Sequence, residues 1–375
     1  VTGNTGLYVH VPFCREKCHY CSFYSEPSTL TDERIGSYIK RSIEEVEYTS
    51  SIYGSPEIDT VYFGGGTPSM LGEAISPILD SIYKNYSVDH DAEITLEMNP
   101  HDVDGSLLKR YRDMGVNRLS LGVQTLNPDF HRNIGRTGRP CSTTDLDLYF
   151  LAEGFKRSVD IMAGLPGQSE DDLLHDLSQL LSYRPEHVSL YLLSLESGTL
   201  LEKRVTVDDI FEQNQVLLWD RAIDYLKSKG FFHYEVSNFA LPGFESRHNM
   251  KYWRYEPYIG IGPGAHSFVS NRRYSLSPDL HDYLEIEAFN YIYDERDFDD
   301  EVVEFVMTGL RCLKGFNPHD FKKKTGRNLP ADVLSNLDLI VNQGNLKKKC
   351  EIYSLTTSGL KILNELTYEI LKDHL

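Results

Sequence analysis

The chain has 375 residues, 40% of them hydrophobic and 25% charged, which suits a large folded core and excludes a disordered or fibrous composition. A formal net charge of −18 opposes binding to a phosphate backbone, which requires clustered Lys and Arg. No uncharged apolar run approaches the roughly 20 residues of a spanning helix, and no leader-like pattern opens the sequence, so with six unpaired-looking cysteines the expected setting is a reducing cytoplasm.

Residues 7–11 read as a strand and lead into Cys14-Arg15-Glu16-Lys17-Cys18-His19-Tyr20-Cys21. Three thiolates at C-x3-C-x2-C spacing can face one point and hold three corners of a [4Fe–4S] cluster, leaving the fourth iron open to a small chelating molecule. A zinc site is the competing reading, with His10 or His19 as fourth ligand, although no second C-x2-C pair exists. Cys141, Cys312 and Cys350 stand singly and read as ordinary thiols.

Further β-rich runs fall at 59–63, 93–97, 118–122, 158–162 and 188–192, separated by amphipathic helical stretches at 32–50, 72–85, 105–114 and 170–183. Repeated βα units imply parallel strands with right-handed crossovers, here a partial, open (β/α)6 barrel, and chemistry in such barrels gathers at the C-terminal ends of the strands. A helix is expected over 207–229. Residues 237–280, rich in Gly, Pro, Asn and Tyr, read as loops wrapped on the barrel. Helices near 301–313, 320–324 and 331–342, a strand pair at 346–355 and a last helix at 357–371 predict a small winged-helix-like α+β module. The expected divisions are 1–235, 236–300 and 301–375. No nucleic-acid partner is expected, because a winged helix suggests one by analogy alone and the acidic balance opposes it.

Each chemical motif follows a predicted strand. Gly64-Gly65-Gly66-Thr67-Pro68 lets backbone approach a ligand where a Cβ would clash, and no Gly-Lys-Ser/Thr follows to make it a phosphate loop. Glu97 closes the third strand, where a carboxylate could accept hydrogen bonds from ribose hydroxyls. Gln124, Arg136 and Asp160 continue the series, Arg136 as a charge-assisted partner for a carboxylate.

Taken in order, YVHVPFC-x3-C-x2-C, YFGGGTPS, LEMNP, RLSLGVQ, VDIMAGLPGQ and VSLYLLSLESGT resemble the coproporphyrinogen oxidase-like branch of the radical S-adenosylmethionine (SAM) superfamily. The resemblance implies a cluster on Cys14, Cys18 and Cys21 and a SAM site at Tyr8, Gly65, Gly66, Thr67, Glu97, Gln124, Arg136 and Asp160. Tyr20 and Ser194 fall at SAM-site positions where the family carries other residues. The oxidases of this branch have a fourth cysteine where this chain has Phe23, and a longer segment before the cluster than the thirteen residues preceding Cys14. In both respects the chain resembles the haem chaperones of the branch. So does His248-Asn249-Met250-Lys251-Tyr252-Trp253, which resembles an H-N-x-x-Y-W motif associated there with haem. An imidazole can ligate iron, and Tyr252 and Trp253 offer flat faces to a porphyrin. His266, in a glycine-rich turn, is a second candidate, and the spacing leaves open which imidazole reaches iron.

The resemblance implies a chaperone that binds haem and passes it to client haemoproteins, those of the respiratory chain among the candidates, with cluster and SAM governing folding, homodimerisation or haem release. The alternative from a different class is an enzyme, an oxygen-independent coproporphyrinogen III oxidase that decarboxylates two propionates to give protoporphyrinogen IX.

Overall fold

The computed structural model describes residues 4–29, 32–136, 138–205, 212–285 and 287–375, without the side chains of 212 and 213. Six strands, β1 (Thr5–Val11), β2 (Glu57–Gly65), β3 (Ser87–Met98), β4 (Arg118–Gln124), β5 (Lys156–Ala163) and β6 (His187–Leu192), pair in parallel in chain order. Each contains the run expected from sequence. The crossovers carry α1 (Glu33–Tyr53), α2 (Ser76–Asn85), α3 (Gly105–Asp113), α4 (Pro128–Asn133), α5 (Thr143–Leu151) and α6 (Glu170–Ser182). Their starts are written locally: Asp32 caps α1, and Ser142–Asp145 and Ser169–Asp172 form reciprocal capping boxes on α5 and α6. The helix expected over 72–85 divides. Residues Pro68–Ile75 form a 3-10 turn kinked at Gly72 (φ 56°), and α2 starts at Ser76 with Pro77 in its first turn.

The segment 237–280 is not a set of loops. After α7 (Glu212–Ser228) and β7 (Phe232–Glu235), it contains β8 (Asn238–Ala240), α8 (Arg247–Trp253), β9 (Tyr258–Ile261), β10 (His266–Val269) and β11 (Arg272–Ser275). With β12 (Ile292–Tyr293), these extend the barrel sheet to twelve strands among the described residues, in the order β12-β11-β10-β9-β1-β2-β3-β4-β5-β6-β8-β7. The strands β9, β1 and β2 to β6 run parallel, and the flanks are antiparallel. The two ends of the sheet are not paired, so the barrel stays open. Sequence reasoning missed these strands because they are two to four residues long, and β9 is specified by β1, some 250 residues away. The first residues of the helix expected over 207–229 lie outside the described residues.

One core packs beneath the sheet, with Leu7, Val9, Val61, Phe63, Leu96, Leu121, Val159 and Leu190 buried against the helices. A second is built by α10 (Phe298–Arg311), α11 (Pro318–Thr325), α12 (Ala331–Asn342), the hairpin β13 (Leu346–Lys349) with β14 (Ile352–Leu355), α13 (Thr357–Lys361) and α14 (Leu363–Leu371), preceded by α9 (Leu280–Glu285). Tyr255, Tyr258 and Phe268 from the β9–β10 edge belong to this second core, so the C-terminal module is packed onto the sheet. No helix among the described residues is long and apolar enough to cross a membrane.

Candidate functional site

The burial pattern along the strands locates the site. Nearly every residue in the middle of β1 to β5 is buried; those that solvent touches are Tyr8, Tyr62, Gly65, Glu97, Gly122, Gln124 and Asp160. In a β-strand alternate residues share a face, and here the inward face opens onto a bore. Of the seven, only Tyr62 and Gly122 stand outside the set singled out from sequence. Register carries the row across the sheet, with Tyr8 beside Tyr62 and Gly122 beside Asp160.

The cysteine loop lies over one end of this bore. It leaves β1 through a short ladder of Phe13–Cys14 on Glu26–Pro27. Arg15 then ties it to buried Asp102 at 2.6 Å, and Ser69 donates to the same carboxylate at 2.7 Å. Cys14, Cys18 and Cys21 are half-buried free thiols, and Thr67 donates to Cys14 Sγ at 3.4 Å. Burial pushes the Cys18 thiol up while the Arg136 guanidinium opposes it and Cys14 adds to the rise; burial also raises Cys21, with Cys18 and Cys14 adding to it. Among the described residues no three acidic, thiol or imidazole side chains converge on a single ion. Of the two histidines of the zinc reading, His10 is fully engaged and His19 is engaged at one nitrogen. His10 has both ring nitrogens engaged, with Tyr8 Oη and the Tyr24 carbonyl each at 3.1 Å. The Nδ1 of His19 accepts from Arg204 at 3.0 Å.

The glycine turn is packed, not open. Gly66 N–H donates to the Val11 carbonyl at 2.8 Å and Thr67 N–H to that of Phe13 at 2.7 Å. Gly65 has φ of 104°, and a Cβ there would stand 2.4 Å from His10 Nδ1; one on Gly66 would stand 2.5 Å from the Phe13 carbonyl oxygen. These positions admit only glycine. Glu97 accepts from Tyr62 Oη at 2.7 Å and from Gly65 N–H at 3.2 Å. Burial drives its carboxyl up to about 7 in spite of these donors, with Asp160 adding to the rise.

On the far wall Gln124 occupies a bulge with φ of 67°, which re-aims its side chain. Gly122 lets Gln124 Nε2 and Arg136 Nη2 crowd in, since a Cβ there would lie 3.3 and 3.5 Å from them. Arg136 is buried, and its charge is felt by Cys18, Tyr20 and Asp160. Asp160 accepts from Ser120 Oγ at 3.0 Å, and burial raises its carboxyl. Tyr20 packs on the cluster of Phe130, Ile134 and Leu201. Ser194 is exposed and bonds Glu196 at 2.6 Å.

The residues of the H-N-x-x-Y-W motif sit on α8, which plugs the bore from the side opposite the cysteines. His248 is 1% exposed; its Nδ1 is 2.9 Å from Thr60 Oγ1, its Nε2 is 2.9 Å from Tyr252 Oη, and its ring stacks on Tyr62 at 5.2 Å. Burial lowers it to about 3, so the ring is neutral and each nitrogen already has its partner. Lys251 is buried on Asp59 at 2.7 Å, and the backbone N–H groups of Arg247 and His248 donate to Glu93. Trp253 turns away toward the C-terminal module, under the Arg311 guanidinium.

Tyr252 belongs to a second place as well. Its ring lines a cleft of about 310 Å³ beside the cysteine loop, together with Tyr8, Phe23, Tyr24, Tyr258 and His266. Sequence reasoning singled out Tyr8, Tyr252 and His266 but missed Phe23, Tyr24 and Tyr258 as neighbours, because β1, the cysteine loop, α8, β9 and β10 all supply walls.

An open parallel barrel with a three-cysteine loop over its mouth and polar residues at the strand ends defines the radical SAM class, and residues 8–180 match the model of the radical SAM superfamily. The whole chain superposes on the solved structure of coproporphyrinogen III oxidase (HemN) from Escherichia coli, described as a radical SAM enzyme, with a TM-score of 0.82 at 19% identity, covering 99% of this chain and 90% of that one. Among curated proteins it is 33% identical to the "Heme chaperone HemW" of Escherichia coli (strain K12), over 96% of each chain. It is 31% identical to that of Lactococcus lactis subsp. lactis (strain IL1403), over 98% of this chain and 97% of the relative. The chain belongs to the HemW haem chaperone family of the radical SAM superfamily.

Proposed function

We propose that this chain is a cytoplasmic haem chaperone that binds haem and hands it to client haemoproteins, with a [4Fe–4S] cluster on Cys14, Cys18 and Cys21 and SAM bound beside it. The observation that carries this reading is the match to proteins described as haem chaperones over nearly the entire chain. The residues fit the cluster: Cys14, Cys18 and Cys21 are half-buried free thiols on one loop, and the Arg136 guanidinium stands close enough to Cys18 to oppose the rise of its thiol. When bound, the cluster supplies an iron open to an amine and a carboxylate.

The protein's part is to position and to exclude water. Arg136, buried near Cys18, would pair with a ligand carboxylate. The Gly64–Gly66 turn, packed on His10, Val11 and Phe13, would hold the backbone beside Glu97 in place for the ligand. Glu97 and Asp160, on the walls of the bore, would accept from ribose hydroxyls, with Gln124 beside them.

The fold likeness to HemN supports a second reading, a coproporphyrinogen III oxidase, but at 19% identity it bears on the fold alone. One experiment separates them. Reconstituted protein is incubated anaerobically with SAM, a strong reductant and coproporphyrinogen III, and a parallel sample loaded with haemin is offered to an apo-haemoprotein. Haem transfer without protoporphyrin product is expected. Catalytic protoporphyrin formation, or failure to bind haemin with or without cluster and SAM, refutes the chaperone reading.

A further inference from the structure

Three imidazoles lie on or next to the aromatic cleft, and they differ in what their nitrogens are doing. His10 is committed to Tyr8 and to the Tyr24 carbonyl. His248 is committed to Thr60 and Tyr252 and is buried below the cleft. His266 is exposed on the cleft wall, and among the described residues its ring has no hydrogen-bond partner.

The backbone that presents His266 is rigid. It opens β10, paired to Ser275 of β11. The turn before it is pinned by Gly262 N–H on Glu45 at 2.8 Å and Gly264 N–H on the Ser277 carbonyl at 3.1 Å. Gly260 has no room for a Cβ, which would stand 2.4 Å from the His266 carbonyl oxygen. The facing walls are flat rings. Tyr258 and Tyr252 meet edge to face at 4.6 Å, and Phe23, 68% exposed, hangs over the rim. An unpartnered imidazole carried on a pinned backbone and facing a cleft of aromatic faces suits a planar metallomacrocycle, clasped on its flat sides and ligated at its metal. A volume of about 310 Å³ lies at the small end for a ligand pocket, so such a guest would remain partly in solvent, as suits one that must be handed on.

We propose that the cleft beside the cysteine loop receives the haem, with the His266 imidazole as its axial ligand, and that His248 serves as a positioning residue acting through Tyr252. This rests on the chaperone reading and adds the place and the ligand. In the test, haemin is titrated into full-length, cluster-reconstituted protein, and affinity, the Soret band and the paramagnetic resonance spectrum of the iron are read for wild type, His266→Ala, His266→Gly and His248→Ala. His266→Ala should lose at least tenfold in affinity together with the nitrogen-ligand signature, while the cluster absorbance is kept. Added imidazole should restore the signature in His266→Gly. His248→Ala should weaken binding and leave the axial signature unchanged. Wild-type-like affinity and spectra in both His266 variants, or loss of the signature in His248→Ala alone, overturn the assignment while haem binding by the wild type stands. A wild type that binds no haemin overturns both the assignment and the chaperone reading.

Discussion

Replacing His248 by Ala tests whether the H-N-x-x-Y-W motif builds the barrel. The imidazole makes two buried hydrogen bonds, to Thr60 and Tyr252, and stacks on Tyr62. Each hydrogen bond contributes about 0.5–1.5 kcal/mol net, and orphaning a buried hydroxyl costs about 1–3 kcal/mol. The lost ring contact adds about 0.5–1.5 kcal/mol. These contributions overlap, so His248→Ala should destabilise the protein by about 3–5 kcal/mol. Urea unfolding of the apo protein, followed by fluorescence, reads this directly, because Trp253 closes the same helix. His248→Gln, which keeps a donor and an acceptor, should recover part of the loss. An unchanged urea midpoint in His248→Ala would refute a structural role for the imidazole.

Gly65→Ala should reduce SAM binding at least tenfold by equilibrium titration, since the left-handed φ of 104° and the 2.4 Å approach to His10 force the turn to move; wild-type affinity would show that the turn does not touch the ligand. Single Ser replacements of Cys14, Cys18 or Cys21 should abolish the visible absorbance of the reconstituted cluster, whereas Ser at Cys141, Cys312 or Cys350 should retain it. Burial raises Glu45 from 4.5 to about 7, against donors from Gly262, Tyr283 and Tyr291. The folded state therefore holds a proton that the unfolded chain has released, and this residue makes stability fall as pH climbs from about 4.5 to about 7, by up to about 1.4 kcal/mol per pH unit. Glu45→Gln should flatten the slope of urea stability against pH in that window, and an unaltered slope would place the group elsewhere on the scale. Lys251→Met should cost about 3 kcal/mol, because it leaves the buried Asp59 carboxylate with only the longer 3.4 Å contact to Arg247; a loss under about 1 kcal/mol would mean that Arg247 alone satisfies it.

The sequence by itself determined the parallel strands, because long β-rich runs alternating with capped helices specify β1 to β6 and their crossovers locally. It also determined the chemistry of the mouth. Cysteine spacing, the glycine turn and a carboxylate closing β3 are each contained in a few consecutive residues, and the strand period aims them at one face. Tertiary structure decided the rest. Whether His248 is a surface ligand or a plug in the bore depends on Thr60 and Tyr62, nearly 190 residues earlier, and only the folded sheet brings them to its ring. The strands β9 to β11 carry too few residues for a periodic signal and exist because β1 offers an edge to pair with. The cleft beside the cysteine loop has walls from β1, that loop, α8, β9 and β10, so its shape is a property of packing between distant elements and leaves no pattern along the chain.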